Sequence, residues 1–333
     1  MKVSFLLCVY NEEKTIEETL RSILDQSIKP DEVVVVNDGS TDNTAQILKK
    51  FEKECKIIHL PKNTGNKAKA QRIGLKYLTG DLIAFTDADT KLDLTFLENG
   101  LPYFLDPLVG GISGQVFSNK KNWLTAVRQI QYLIGQNLYK RGMSVLDSIL
   151  VIPGCAGIVR KNLFHASFDT VTEDMDMTLK INELGYKIIY TPKVKIFTND
   201  PTNLASYIRQ TTRWYAGYFQ NMRKHFKFLP SRIKIQMLLP FLEIILTISG
   251  GISLLAIILS KNSIFLPVFL FEVVIIESFV LYGAWKLARR DLLVHLPTYF
   301  FVKLIESGIW FKCLIKELIF GKHEMKWLRA DRT

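Results

Sequence analysis

Little in this sequence suits a disulfide framework or a zinc site. Its four cysteines, Cys8, Cys55, Cys155 and Cys313, form no close pair, and neither they nor the five histidines show metal-ligand spacing. A reduced soluble part facing the cytoplasm is the simplest expectation. Residues 3–10 are apolar but too few for an export signal, and they run straight into Asn11-Glu12-Glu13, so they predict a buried first strand. Acidic residues are the minority charge. The formal net charge of +11 suits an anionic partner, whether nucleic acid, lipid headgroups or a nucleotide diphosphate. No nucleic-acid-binding motif accompanies it. The 48% apolar content excludes a disordered chain and allows a sizeable core.

Across residues 2–201, short β-branched runs alternate with amphipathic helical stretches, the pattern of a mostly parallel sheet flanked by helices. Strands are predicted at 3–9, 32–37, 57–60 and 82–86, with helices at 14–25 and 44–54. Ligands of such sheets bind at the carboxyl ends of the strands, which draws attention to Asn11, Asp38 and Asp87.

Long apolar runs come late. Residues 237–259 and 264–285 each approach the ~20 apolar residues that cross a bilayer. The alternative is a pair of long core helices. Between these runs and residue 199 lies a basic, aromatic-rich stretch, with Leu204, Ile208, Thr211, Tyr215, Tyr218 and Met222 on one helical face, as a helix at the membrane surface would have. Arg223, Lys224, Lys227, Arg232 and Lys234 precede the first apolar run, and Lys286, Arg289 and Arg290 follow the second, so the first 202 residues are expected on the cytoplasmic side. Residues 292–320 are apolar but carry Lys303, Glu306, Lys312, Lys316 and Glu317, and a basic tail follows; an interfacial or re-entrant segment is expected there. The predicted organisation is therefore a catalytic domain at 1–202, interfacial helices at 203–236, two membrane helices at 237–285, and an interfacial segment with its tail at 286–333.

Several motifs sit at these strand ends. The second strand closes on Asn37-Asp38-Gly39-Ser40, which as a bare string is ordinary turn chemistry. Residues 67–75 read KAKAQRIGL, compatible with a solvated charged helix. Residues 82–90 read LIAFTDADT: in extended chain the side chains i and i+2 share a face, so Asp87 and Asp89 are predicted to converge on one hard divalent cation. In VTEDMDMTLKINELG, Thr172 is the expected helix N-cap and Gly185 its stop. Complementarity to the helix dipole explains Glu173, Asp174 and Asp176 equally. Gln210, Arg213 and Trp214 fall on one helix surface, where arginine and tryptophan would also serve as interfacial anchors.

Together these motifs resemble the family 2 glycosyltransferases, which have the GT-A α/β fold. The QxxRW string at 210–214 is similar to that of cellulose, chitin and hyaluronan synthases and, in related form, ceramide glucosyltransferase. The resemblance implies that Asp38 and Glu12 belong to the donor-nucleotide site and that Lys67 meets the donor diphosphate. Asp87 and Asp89 then hold a Mg²⁺ or Mn²⁺ ion, and Asp174 of Thr172-Glu173-Asp174 is the general base, with Asp176 structural. On the acceptor side it implies Glu173, Cys155 in the small-residue turn 153–157, Gln210 and Trp214, with Arg213 stabilising the leaving group. The turn at 153–157 is equally explained by packing. The implied activity is inverting transfer from a nucleoside-diphosphate sugar, UDP-linked, to a hydroxyl of a glycan or glycolipid at a multi-pass cell membrane, with lipids as further partners. A dolichyl-phosphate sugar synthase and an inactive membrane-anchored binding protein are the alternatives. Three departures from the synthases speak against polymer export by this chain alone: no span before the catalytic domain, no recognisable gating loop, and few spans. Residues 326–329 loosely resemble a tail motif of the same enzymes.

Overall fold

The computed structural model describes residues 1–119, 121–260 and 289–321, with a few isolated positions between 264 and 282. Its first strands fall where the apolar runs place them: β1 at Val3–Val9, β2 at Glu32–Asn37, β3 at Lys56–His59 and β4 at Leu82–Asp87, interleaved with α1 at Ile16–Leu24, α2 at Thr44–Lys49 and α3 at Lys67–Leu75. The later elements are β5 (Thr90–Leu92), α4 (Phe96–Gly100), β6 (Val109–Ser118) and α5 (Trp123–Ile134), which continues through a wide π-type turn, Gly135–Lys140, into α6 (Arg141–Val145). They are followed by β7 (Ala156–Arg160), α7 (Glu173–Glu183), β8 (Lys187–Thr198), α8 (Leu204–His225), α9 (Ser231–Ser260) and α10 (Leu296–Leu314).

Eight strands form one sheet in the order β3-β2-β1-β4-β7-β6-β8-β5. The expectation of a mostly parallel sheet needs correction. β3, β2, β1 and β4 are parallel, but β7 enters antiparallel to both β4 and β6, and β5 is antiparallel to β8, so the sheet is mixed. Both faces are covered, which is why β2 can read as an uninterrupted valine run. Phe5, Leu7, Val33 and Val35 pack with Ile16, Leu20 and Phe96 on one face, while Leu6, Val34, Val36 and Phe85 pack with Ala70, Met177 and Ile181 on the other. Gly39 takes φ +68°, and a Cβ there would lie 2.3 Å from the Lys62 carbonyl carbon, so the Asp-Gly turn requires glycine.

The QxxRW helix, α8, is not a surface helix with one wet side. Tyr207, Gln210, Gly217, Gln220 and Asn221 are buried on the face turned to the sheet domain, while Phe219 and its neighbours pack against Trp310 of α10 and Phe241 of α9. Two described stretches, Ser231–Ser260 and Arg290–Ile319, are long and apolar enough to cross a membrane. The second contains the stretch read as interfacial. The predicted span at 264–285 and the basic tail with its motif at 326–329 lie outside the described residues, apart from isolated positions. Glu243 of α9 pairs with Lys303 of α10 at 2.8 Å, so an acid inside one apolar helix is matched by a base in the other.

Candidate active site

The carboxyl ends of β1, β2 and β4 meet the amino ends of α3 and α7. Lys67 is the first residue of α3, whose N-cap, Asn66, accepts from the Ala68 amide at 2.8 Å. Its ammonium donates to Asp87 Oδ1 at 2.5 Å and to the Gly154 carbonyl at 3.0 Å, and lies 3.6 Å from Glu173. Burial opposes that charge, but Asp87 and Glu173 outweigh it and hold the ammonium above its usual range. Asp174 Oδ2 accepts from the Gly154 amide at 2.8 Å, and Oδ1 from the Met175 amide at 2.9 Å. Burial raises the Glu173 carboxyl, with Lys67 and Arg213 acting against it and Asp174 with it; Arg213 is thereby an electrostatic neighbour of this group.

Cys155 contributes through its backbone. Its carbonyl accepts from the Asp87 amide at 3.2 Å and Thr86 Oγ1 at 2.7 Å, while burial pushes its thiol up to about 12. Cys8 stands beside Asp87 in the β1–β4 register; burial pushes its thiol up to about 12, with Lys67 acting against that rise and Asp38, Glu173 and Asp87 with it. The structure thus gathers Lys67, Asp87, Cys155, Glu173 and Asp174, with Arg213 at the edge.

Other predicted residues sit apart from this cluster. Asp38 is buried and accepts from the Thr64 amide at 2.9 Å, Thr64 Oγ1 at 2.8 Å and Asn63 at 3.3 Å. Glu12, past the end of β1, accepts from Thr15 Oγ1 at 3.1 Å, and its amide donates to Thr44 Oγ1 at 2.9 Å. The extended-chain argument for Asp87 and Asp89 does not carry over, because β4 ends at Asp87 and residues 88–89 form a turn. Asp89 lines a different cleft of about 300 Å³, with Thr15, Thr19, Asn119 and Asn199. Gln210 is buried with its amide oxygen on Arg128, and the half-buried Trp214 indole lies beneath the same guanidinium. Thr172 precedes α7, but no cap bond comes from its side chain; instead its hydroxyl accepts from Asn221 of α8 at 2.9 Å. Asp176 is buried among His225 and Lys224, which agrees with a structural role.

Among the described residues no three His, Cys, Asp or Glu side chains gather closely enough to hold an ion by themselves. Asp87 and Asp89 each offer the carboxylate oxygens that suit a hard cation with its other ligands from phosphate and water, but they do not converge on one point, Asp87 being held by Lys67 and Asp89 lining the other cleft.

Residues 4–168 match the model of glycosyl transferase family 2, so the chain contains a domain of that family. Among curated proteins it is similar to the poly-beta-1,6-N-acetyl-D-glucosamine synthases of Staphylococcus aureus (strain N315), at 30% identity, and Staphylococcus epidermidis, at 29%, each over 67% of this chain and 56% of the relative. The chain therefore spans little more than half the length of those relatives. A mannosyltransferase from Pyrobaculum calidifontis, solved with GDP-Man and Mn²⁺, shares the fold at TM-score 0.65 and 21% identity over 97% of this chain and 88% of that one. TarS 1-349 from S. aureus, in complex with UDP, aligns at TM-score 0.50 and 22% identity over 73% and 71%.

Proposed function

We propose that this chain transfers a sugar from a UDP-linked donor to a hydroxyl of a glycan or lipid-linked acceptor at the cytoplasmic face of a membrane, with inversion at the anomeric carbon. The observation that carries the reading is the joining of Asp174 to Lys67 through one residue: the amide of Gly154 holds the acid and its carbonyl holds the ammonium. An acceptor-side base and a donor-side cation are thereby fixed relative to each other. The acceptor oxygen attacks the anomeric carbon, the bond to the diphosphate breaks, and the acceptor proton passes to Asp174. Lys67 and Arg213 receive the negative charge of the departing diphosphate. Asp87 and Asp89 would hold a Mg²⁺ or Mn²⁺ ion, which supplies further neutralisation of that diphosphate. The fold neighbours solved with GDP-Man and Mn²⁺ and with UDP support the choice of a nucleotide sugar and a divalent ion.

The membrane placement rests on α9, where Leu242, Ile245, Ile252, Leu255 and Ile258 are all exposed, an apolar surface too long for water. Purified chain in lipid, incubated with a panel of nucleotide sugars that begins with UDP-N-acetylglucosamine and weighed by mass spectrometry, tests the reading. It predicts a glycosylated acceptor and free UDP. Turnover of no nucleotide sugar, or transfer to a lipid phosphate in place of a hydroxyl, overturns it.

A further inference from the structure

Arg128 is the centre of a buried polar cluster away from the Lys67–Asp174 pair. It lies on α5, an apolar helix buried along most of its length, and it is 4% exposed. A charge there needs partners on every side. Its guanidinium stacks over the Tyr207 ring at 4.2 Å and the Trp214 ring at 4.7 Å. One terminal nitrogen donates to Gln210 Oε1 at 3.1 Å and the other to Gln131 Oε1 at 2.8 Å. Two acids balance the charge, Asp200 at 3.8 Å and Glu306 of α10 at 3.9 Å. Glu306 is itself held, accepting from the Tyr207 hydroxyl at 2.5 Å and Gln131 Nε2 at 3.0 Å.

We propose that Arg128 is the positioning residue of the QxxRW element, and that Glu306 makes the apolar helix α10 part of the same device. The proposal rests on the transfer reading above and takes Trp214, which the family resemblance puts on the acceptor side, as a flat face for the acceptor sugar. A guanidinium can fix both QxxRW side chains at once, because it is planar, donates as a fork and stacks on an aromatic ring. With one side of the indole against Arg128, the ring cannot turn, and its other side is presented in one orientation. A lysine at this position keeps the charge but loses the fork and the stack.

The test uses the full chain in lipid nanodiscs with Arg128→Lys and Glu306→Gln. Arg128→Lys is expected to raise the acceptor KM about tenfold, the loss of one desolvated stacking interaction, while the donor dissociation constant stays at its wild-type value. A second readout needs no turnover. The Trp214 fluorescence, taken as the difference between each protein and its Trp214→Phe counterpart, should become more accessible to acrylamide in Arg128→Lys and, to a smaller degree, in Glu306→Gln. If Arg128→Lys does not fold, Glu306→Gln carries both readouts. Wild-type acceptor KM with unchanged quenching overturns the proposal, as does an equal loss of donor affinity. If the wild-type protein turns over no nucleotide sugar, the transfer reading fails, while the quenching comparison still decides whether Arg128 orients Trp214.

Discussion

Gly217 of α8 and Thr172, the residue before α7, meet with no space for a side chain between them: a Cβ on Gly217 would lie 2.2 Å from Thr172 Oγ1. Asn221, one turn further along α8, donates to that same hydroxyl at 2.9 Å, and Gln220 accepts from the Val171 amide at 3.0 Å. The helix that carries Arg213 and Trp214 is thus clamped onto the segment that carries Glu173 and Asp174. Gly217→Ala should push α8 away and destabilise the protein by about 1–3 kcal/mol, the usual range for overpacking. Denaturant titration and transfer rate together check this. An alanine protein with normal stability and turnover would show that the clamp yields without consequence.

Asp174→Asn should lower turnover by about 10² to 10⁴, the range that general-base catalysis contributes, and leave donor affinity near normal. Asp38→Ala should do the reverse, because Asp38 braces the loop at Asn63 and Thr64 beside β2. Steady-state kinetics with donor-binding calorimetry separate the two. Loss of donor affinity in Asp174→Asn would mean the wrong carboxylate has been assigned as base.

Activity should require Mg²⁺ or Mn²⁺, and Asp89→Asn should abolish it while the circular dichroism spectrum and melting temperature stay unchanged. Asp87 ends β4 and is held by Lys67, while Asp89, in the turn that follows, lines the neighbouring cleft. Full turnover in excess chelator would contradict the requirement.

His225 contacts Asp176 at 2.9 Å through Nε2 and Glu183 at 2.7 Å through Nδ1, and only the imidazolium can donate from both nitrogens. Burial opposes its charge, but the two carboxylates outweigh it and raise the histidine above its usual 6.5. Against burial, both acids are held below their usual values, Asp176 by the bonds from His225 and Lys224 and Glu183 by those from Lys180 and His225. The histidine's share of stability is therefore complete below pH 6.5 and lost as pH rises through its raised value, while the acids' share is lost only as pH falls through their lowered values. The stability difference between wild type and His225→Gln should be largest between pH 4.5 and 6.5 and shrink at higher pH. A difference that is flat with pH would refute the imidazolium bridge.

How much of this was legible depended on whether the signal was local. β1 and β2 were readable to the residue, because β-branched runs end abruptly at polar turns and both sheet faces are covered. β6 was not: it reads VGGISGQVFS, and its glycines remove the alternation that marks a strand. The antiparallel entry of β7 depends on pairing across more than seventy residues, which no local pattern records. The shared face expected for Asp87 and Asp89 was not seen, because extended geometry was carried two residues past the end of β4. Asp174, Glu173 and Lys67 came from a resemblance, and the structure adds Gly154, whose amide and carbonyl join Asp174 to Lys67. Arg128 was missed altogether. Its one signal was a lone cation in the amphipathic run WLTAVRQIQYLI, which a search for charges on buried faces would have singled out.

The central claim is a single displacement in which Asp174 takes the acceptor proton as the diphosphate leaves. Proton NMR of the first product formed from an α-linked UDP-sugar tests it most directly, with UDP release measured in the same tube. The account predicts a β-linked product, one UDP for each new glycosidic bond, and loss of both signals in Asp174→Asn. An α-linked product, or UDP release with no new glycosidic bond, would contradict it.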